Sequence, residues 1–338
     1  MNAATPLLAD AAPRAPRATG GHVESYFLRA NHLTRPLALW TKATVLKPHD
    51  GAALQECWFV YFDGEQDRTY AKKRTEPLSA AFSSEGDDAL RLRVCDAAWS
   101  IAPHGSARGT LDGASWDLRF ERLAGELGEP RSILAARLRT GPFPKAKSFT
   151  PLPALTASGE IEVFGERIVV DGWQGMLGHN WGKEHPREHA WGQCFFPAAA
   201  GEPAAWVEGI TGRITVLGGV TLPRLSTLIV QRGDESFRFD RGVDPWAQHA
   251  EIEERRWLVE LKSARARVIL EMDSSGRPIV CLGYKDPNGV MGYCINTKLA
   301  RAKLVVEPTG SASFTLESDH GGALEFLRRE PVRGLEVV

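Results

Sequence analysis

The chain has 338 residues, 43% hydrophobic and 25% charged, which is enough apolar mass for one large core or two modest ones and too much for a disordered chain. Its 41 basic and 42 acidic residues leave a net charge of −1, without the positive field that phosphate-backbone binding relies on, so nucleic acid is not an expected partner. Ten Trp against five Tyr, with 33 Gly and 21 Pro, make the composition rich in large rings and chain-turning residues.

In chain order, residues 1–20 come first. Pro6, Asp10, Pro13 and Pro16 interrupt their apolar stretches, so they lack the run of about 7 to 15 apolar residues of a signal peptide and read as a flexible tail. The longest unbroken apolar run, Cys57 to Phe62, is six residues. A membrane-spanning helix needs about 20, so no transmembrane segment is expected, although peripheral contact with a membrane stays open. The five cysteines, Cys57, Cys95, Cys194, Cys281 and Cys294, are odd in number and widely spaced, without a C-x-x-C pair. They read as buried small hydrophobes of a reduced, cytoplasmic protein.

Period-two alternation then recurs: Leu90, Leu92 and Val94; Trp116, Leu118 and Phe120; Ile161 and Val163; Phe237 and Phe239; Trp257, Val259 and Leu261; Ala312, Phe314 and Leu316. Each predicts an antiparallel, half-buried strand. Asp63-Gly64, Asp112-Gly113, Gly233-Asp234 and Pro287-Asn288-Gly289 predict turns between strands. Only Pro130 to Arg139 carries apolar residues at helical spacing, with Pro130 as a first-turn residue. The proline-rich stretch Thr140 to Ser158 reads as a linker or a long crossing loop. An all-β chain of this length must close or pack its sheet edges, so two barrels or sandwiches are expected.

Asp171 to Glu208 differs from the rest. It holds four of the ten Trp (Trp173, Trp181, Trp191, Trp206) and three of the nine His (His179, His185, His189), with several Gly between them. His185-Pro-Arg-Glu188-His189 matches the H-x-x-E-H zinc pattern, which needs both imidazoles on one helix face. Pro186 and Gly192 bracket the match and Ala190 to Phe196 reads as a strand, so no metal is expected.

The run Trp173-Gln-Gly-x-x-Gly-His179-Asn-Trp181-Gly182, after the strand pair of residues 158–172, resembles the lipocalin-like superfamily of carotenoid 1,2-hydratases (hydroxyneurosporene synthases). AttH-like proteins and, more distantly, tocopherol cyclases belong to the same group. The likeness is strongest over residues 156–196. It implies two tandem lipocalin-like barrels, 21–198 and 199–338, with the His-x-Trp motif near their junction. In the hydratases the motif works with an aromatic-x-acid pair about thirty residues later, a position held here by Trp206-Val-Glu208 in place of Tyr and Asp. Gly178 stands where an Asp often precedes the motif His, which leaves Asp171 as a substitute acid.

Protonating an unactivated double bond near neutral pH needs a carboxyl that keeps its proton, although a free Glu titrates near 4.3. Burial of Glu208 among rings would supply that. Trp181, Trp206, Trp173 and Trp191 would stabilise a carbocation by roughly 0.5 to 2 kcal/mol each, and His179 would orient the acid or place a water. No phosphate loop, Rossmann glycine pattern or serine elbow is present, so no cofactor is expected. The expected function is acid catalysis, hydration or cyclisation, on a hydrophobic isoprenoid-type ligand in a Trp-lined cavity. The alternative is a non-catalytic carrier of such a ligand.

Overall fold

The computed structural model describes residues 10–15, 18–79, 82–83, 90–199, 201–213, 223–240 and 248–338. Two curled antiparallel sheets account for nearly all of it. The first contains β1 (His22–Asn31), β2 (Leu37–Lys47), β3 (Leu54–Asp63), β4 (Arg68–Pro77), β5 (Phe82–Ser83), β6 (Leu90–Val94), β7 (Ala97–Ile101), β8 (His104–Leu111), β9 (Ala114–Arg122), β10 (Ala146–Val163) and β11 (Glu166–Gly182). The second contains β12 (Glu188–Phe196), β13 (Ala205–Arg213), β14 (Leu225–Arg232), β15 (Glu235–Phe239), β16 (Gln248–Ile252), β17 (Arg256–Lys262), β18 (Ala266–Asp273), β19 (Val280–Lys285), β20 (Met291–Pro308) and β21 (Phe314–Arg328).

Strand order runs β4-β3-β2-β1-β11-β10-β9-β8-β7-β6-β5 in one sheet and β15-β14-β13-β12-β21-β20-β18-β17-β16 in the other, with β19 beside β20. In both, the first strand pairs with the last, so the two units share a topology although no internal sequence repeat is visible. Each sheet curls round its own core. In the first, Phe59 of β3 stacks on Trp116 of β9 at 4.7 Å and Tyr70 of β4 donates to the Leu111 carbonyl of β8. In the second, Trp257 of β17 donates to Thr211 of β13 at 3.0 Å. The architecture is therefore two tandem lipocalin-like β-barrels, as expected.

A third apolar layer lies between the barrels. It takes Phe27, Trp40, Trp58 and Met176 from the first sheet and Trp191, Phe195, Trp206, Tyr284 and Leu327 from the second. Strands of this layer are covered on both faces. All ten residues of β1 are buried, and alternation along it sends Tyr26, Leu28 and Ala30 into the first barrel and Phe27 into the inter-barrel layer.

The predicted strands and turns are present, save that Ala312 is exposed and precedes β21, and the Asp112-Gly113 hairpin turn has both residues at positive φ, 45° and 90°. Four expectations need correction. Pro130–Arg139 is not a helix beyond the single turn Ala136–Arg139, because the Arg131 backbone pairs with Thr150 and draws the segment onto the sheet. Thr140–Ser158 is neither linker nor loop from Ala146 onward, since Pro151 and Pro153 sit where β10 breaks register against β11. A bulge is where a strand tolerates a residue that cannot donate to the ladder. In the expected tail, residues 10–15 pack against the first barrel, with Ala11 and Ala15 buried, while residues 1–9 and 16–17 lie outside the described residues. The chain crosses between sheets at residues 183–187, ahead of the boundary expected at 198, because β12 already pairs with β13 and β21.

The Gly of the motif is explained by close approach of strands. A Cβ on Gly175 would lie 2.1 Å from the Arg29 carbonyl of β1, which is ladder backbone and cannot yield. Gly175→Ala is expected to cost about 1 to 3 kcal/mol or more, read as a lower urea midpoint at unchanged slope.

Candidate functional site

Two titratable centres flank the inner wall of the first sheet. One is His179 on β11, fully buried and 2.7 Å through Nε2 from the Glu24 carboxylate of β1, itself fully buried. The β1/β11 register sets Tyr26 opposite His179 and Glu24 opposite Trp181, so both pairs share the face that looks into the first barrel. The imidazole stacks on Tyr26 at 4.1 Å and on Trp181 at 4.6 Å. Glu24 also accepts from the backbone N–H groups of Arg14 and Ala15, and His22 lies 3.4 Å away. The Arg14 guanidinium sits 5.3 Å over the Trp181 ring.

Burial alone would raise the Glu24 carboxyl, but the hydrogen bonds from His179 and His22 outweigh it and bring it down to about 2. Burial lowers His179 and keeps the ring neutral, against the pull of the Glu24 charge. A neutral ring that donates from Nε2 to a carboxylate carries its lone pair on Nδ1. That atom is buried and has no hydrogen-bond partner among the described residues. The pair is thus a carboxylate-oriented imidazole with one uncommitted basic nitrogen.

The other centre is Glu208 on β13, 2% exposed, in the layer between the barrels. Thr150 Oγ1 donates to it at 2.8 Å and Trp191 Nε1 at 3.3 Å. Burial pushes the carboxyl up to about 7, the hydrogen bonds from Thr150 and Trp191 offsetting it only in part. Phe27 meets Trp191 edge-on at 5.9 Å, and the buried Trp206 donates to the Leu127 carbonyl. Arg29, 1% exposed, spans from β1 toward the second sheet, bonded to Asn31 and the Gln193 and Gly321 carbonyls.

The expected site residues therefore divide. Trp173 lies in the first barrel core and Trp181 beside His179, whereas Trp191 and Trp206 lie with Glu208 on the opposite side of the sheet. Phe149, in register with His179, packs with Trp181, and the next residue, Thr150, turns the other way to reach Glu208. The structure does not bring His179 to Glu208. Asp171 is exposed on β11.

The H-x-x-E-H residues also go separate ways. His185 holds Asp286 at 2.6 Å, Glu188 is paired with Arg213 and Arg224, and His189 is buried, its ring drawn down to about 4 by burial. No group of three or more His, Cys, Asp or Glu able to hold a metal occurs among the described residues. The five cysteines are unpaired, four buried and Cys95 half-buried. No helix among the described residues is long and apolar enough to cross a membrane.

Glu24 escaped the sequence reading. Its signal was His22-x-Glu24-x-Tyr26, polar and aromatic side chains at period two, but nothing in that pattern names a partner 155 residues away.

The fold is that of a tandem lipocalin-like protein, and solved structures share it. The solved structure of kievitone hydratase from Nectria haematococca matches with TM-score 0.59 at 13% identity, over 96% of this chain and 93% of that one. An AttH-like protein from Nitrosomonas europaea matches with TM-score 0.57 at 11% identity, over 97% and 98%. CghA, solved with Sch210972, matches with TM-score 0.62 at 12% identity, over 91% and 88%. In sequence, the chain is 23% identical over 298 residues to an uncharacterised protein of Mycobacterium tuberculosis, covering 84% of this chain and 81% of that protein. No family model matches.

Proposed function

We propose that the chain is an acid catalyst for an apolar, isoprenoid-type small molecule bound between the barrels. Glu208 gives its proton to a carbon–carbon double bond, and hydration or ring closure completes the reaction without a cofactor. The observation that carries this reading is Glu208 itself, a fully buried carboxyl poised at about 7 that, among the described residues, only Thr150 and Trp191 bond. Such a group is protonated often enough at neutral pH to act as a general acid and acidic enough to release the proton. The faces of Trp191 and Trp206 stand in the same layer to stabilise a cation. Among proteins sharing the fold, one is a hydratase, which is in keeping with this chemistry.

His179 and Trp181 enter the proposal through Glu24. Fixed by that carboxylate and enclosed by Tyr26 and residues 10–15, His179 holds the wall against which the substrate layer forms. The carrier reading draws on one observation, that the imidazole serves Glu24 and, among the described residues, leaves Glu208 without a histidine partner. Incubating the protein with acyclic isoprenoids and carotenoids in D2O separates the two. Deuterium at carbon in the product is expected; tight binding of substrates recovered unchanged would establish the carrier.

A further inference from the structure

Lys42 of β2 is 6% exposed and points into the inter-barrel layer. Its ammonium lies 3.8 Å from the Tyr284 ring centroid, 5.7 Å from that of Trp58 and 5.9 Å from that of Trp40. Among the described residues it makes no hydrogen bond and has no carboxylate within ion-pair distance; Glu325 and Glu56 act on it only from farther away. Its neighbours have taken the available anions. Lys298, which shares the Trp40 ring, is 2.7 Å from Glu325, and Lys73, over Trp58, is 3.9 Å from Glu56.

An interior cation normally has a hydrogen-bonded partner, because ring faces replace only part of lost hydration. The layer as a whole is short of negative charge. Arg29, Lys42, Lys73 and Lys298 face Glu56, Glu325 and a Glu208 that is only partly ionised at neutral pH. A buried ammonium enclosed by the rings of Trp40, Trp58 and Tyr284 suits an anionic group carried on an apolar body.

We infer that Lys42 and its three rings form the subsite for the carboxylate end of an amphipathic ligand, whose apolar remainder lies in the layer that also holds Glu208. This rests on the acid-catalyst reading for the location of the ligand and adds its class: a hydrophobic carboxylate and not a neutral hydrocarbon.

The groups facing Lys42 are Glu56 of β3, Lys73 of β4, Tyr284 of β19, Cys294 of β20 and Glu325 of β21. Burial is the largest influence and brings the amine down to about 8, so the anion site weakens as pH rises through that value. A bound carboxylate favours the ammonium and moves this midpoint upward.

The test is calorimetric titration of the full chain with octanoate and with 1-octanol, from pH 6.5 to 9.5. Octanoate is expected to bind about tenfold or more tightly than the alcohol near neutral pH, the worth of one charge-assisted hydrogen bond. The preference fades above about pH 8, a readout that needs no variant. Lys42→Met removes the preference and raises Tm, since it deletes a buried unpaired charge. Glu208→Gln keeps the preference even as proton transfer is lost, so the subsite and the acid stand or fall separately. Equal affinities, absence of binding by either probe, or a preference that survives in Lys42→Met would overturn the assignment.

Discussion

Glu208→Gln is expected to lower turnover by about 10²- to 10⁴-fold, the usual contribution of a general acid, while ligand affinity changes by less than about threefold. Gln keeps the shape and an acceptor for Thr150 or Trp191, but has no proton to give. In the unsubstituted protein the acid form is the active one, so the rate should decline as pH rises through about 7, and the variant should lose that limb. Stability supplies a second signature. The folded carboxyl titrates near 7 against 4.5 unperturbed, so its protonated form is favoured by folding. The fold is then unpenalised below about 4.5 and progressively destabilised as pH rises through about 7, by about 3 kcal/mol at the limit. Glu208→Gln should accordingly raise Tm at pH 9 and leave it nearly unchanged at pH 4. Full activity in the variant would place the acid elsewhere, and an unchanged Tm at pH 9 would mean that the carboxyl is not desolvated.

The sequence made the strands legible wherever one face meets a barrel core and the other meets water, as in β6, β9 and β17. It was least informative where both faces are covered. In β1, Glu24 and Arg29 sit on opposite faces and both are buried, so no inside or outside can be read from the pattern. The Trp-rich stretch drew attention correctly to buried titratable groups, yet it straddles the crossing between sheets at 183–187. Trp181 and Trp191 are neighbours in sequence because the chain changes barrel between them, and they face different compartments for the same reason. The partners that define each centre are set by register. Glu24 reaches His179 through the β1/β11 ladder, and Thr150 reaches Glu208 because a break in the β10 ladder follows Phe149. Such pairings join segments far apart in the chain, and local composition does not encode them.

Glu24→Ala is expected to cost about 3 to 5 kcal/mol, the range for removing one member of a buried, hydrogen-bonded charge pair. The carboxylate receives His179 Nε2 and the N–H groups of Arg14 and Ala15, and the variant leaves buried His179 and Ala15 and half-buried Arg14 without that acceptor. Residues 10–15 should then become more open to limited proteolysis, since this carboxylate holds two of their N–H groups, leaving Tyr26 on the Ala11 carbonyl, Lys47 on the Ala15 carbonyl and the Arg139–Asp10 ion pair. The pH dependence has a definite sign. With the folded carboxyl near 2 against 4.5 unperturbed, its contribution is complete above about 4.5 and is lost as pH falls through about 2. His179, lowered by burial from 6.5, acts in the same direction, because the unfolded chain takes up its proton first as the solution is acidified. Acid should therefore destabilise the native protein through this centre, and the variant should have lost the Glu24 limb of that curve. Denaturant midpoints between pH 2 and 7 measure both. Glu24→Gln, which keeps one acceptor, should lie between the two. If it folds fully at 25 °C yet turns over no substrate, the free Nδ1 of His179 takes part in the chemistry; if its activity follows the folded fraction, His179 and Glu24 serve only to join the N-terminal segment to the barrel wall.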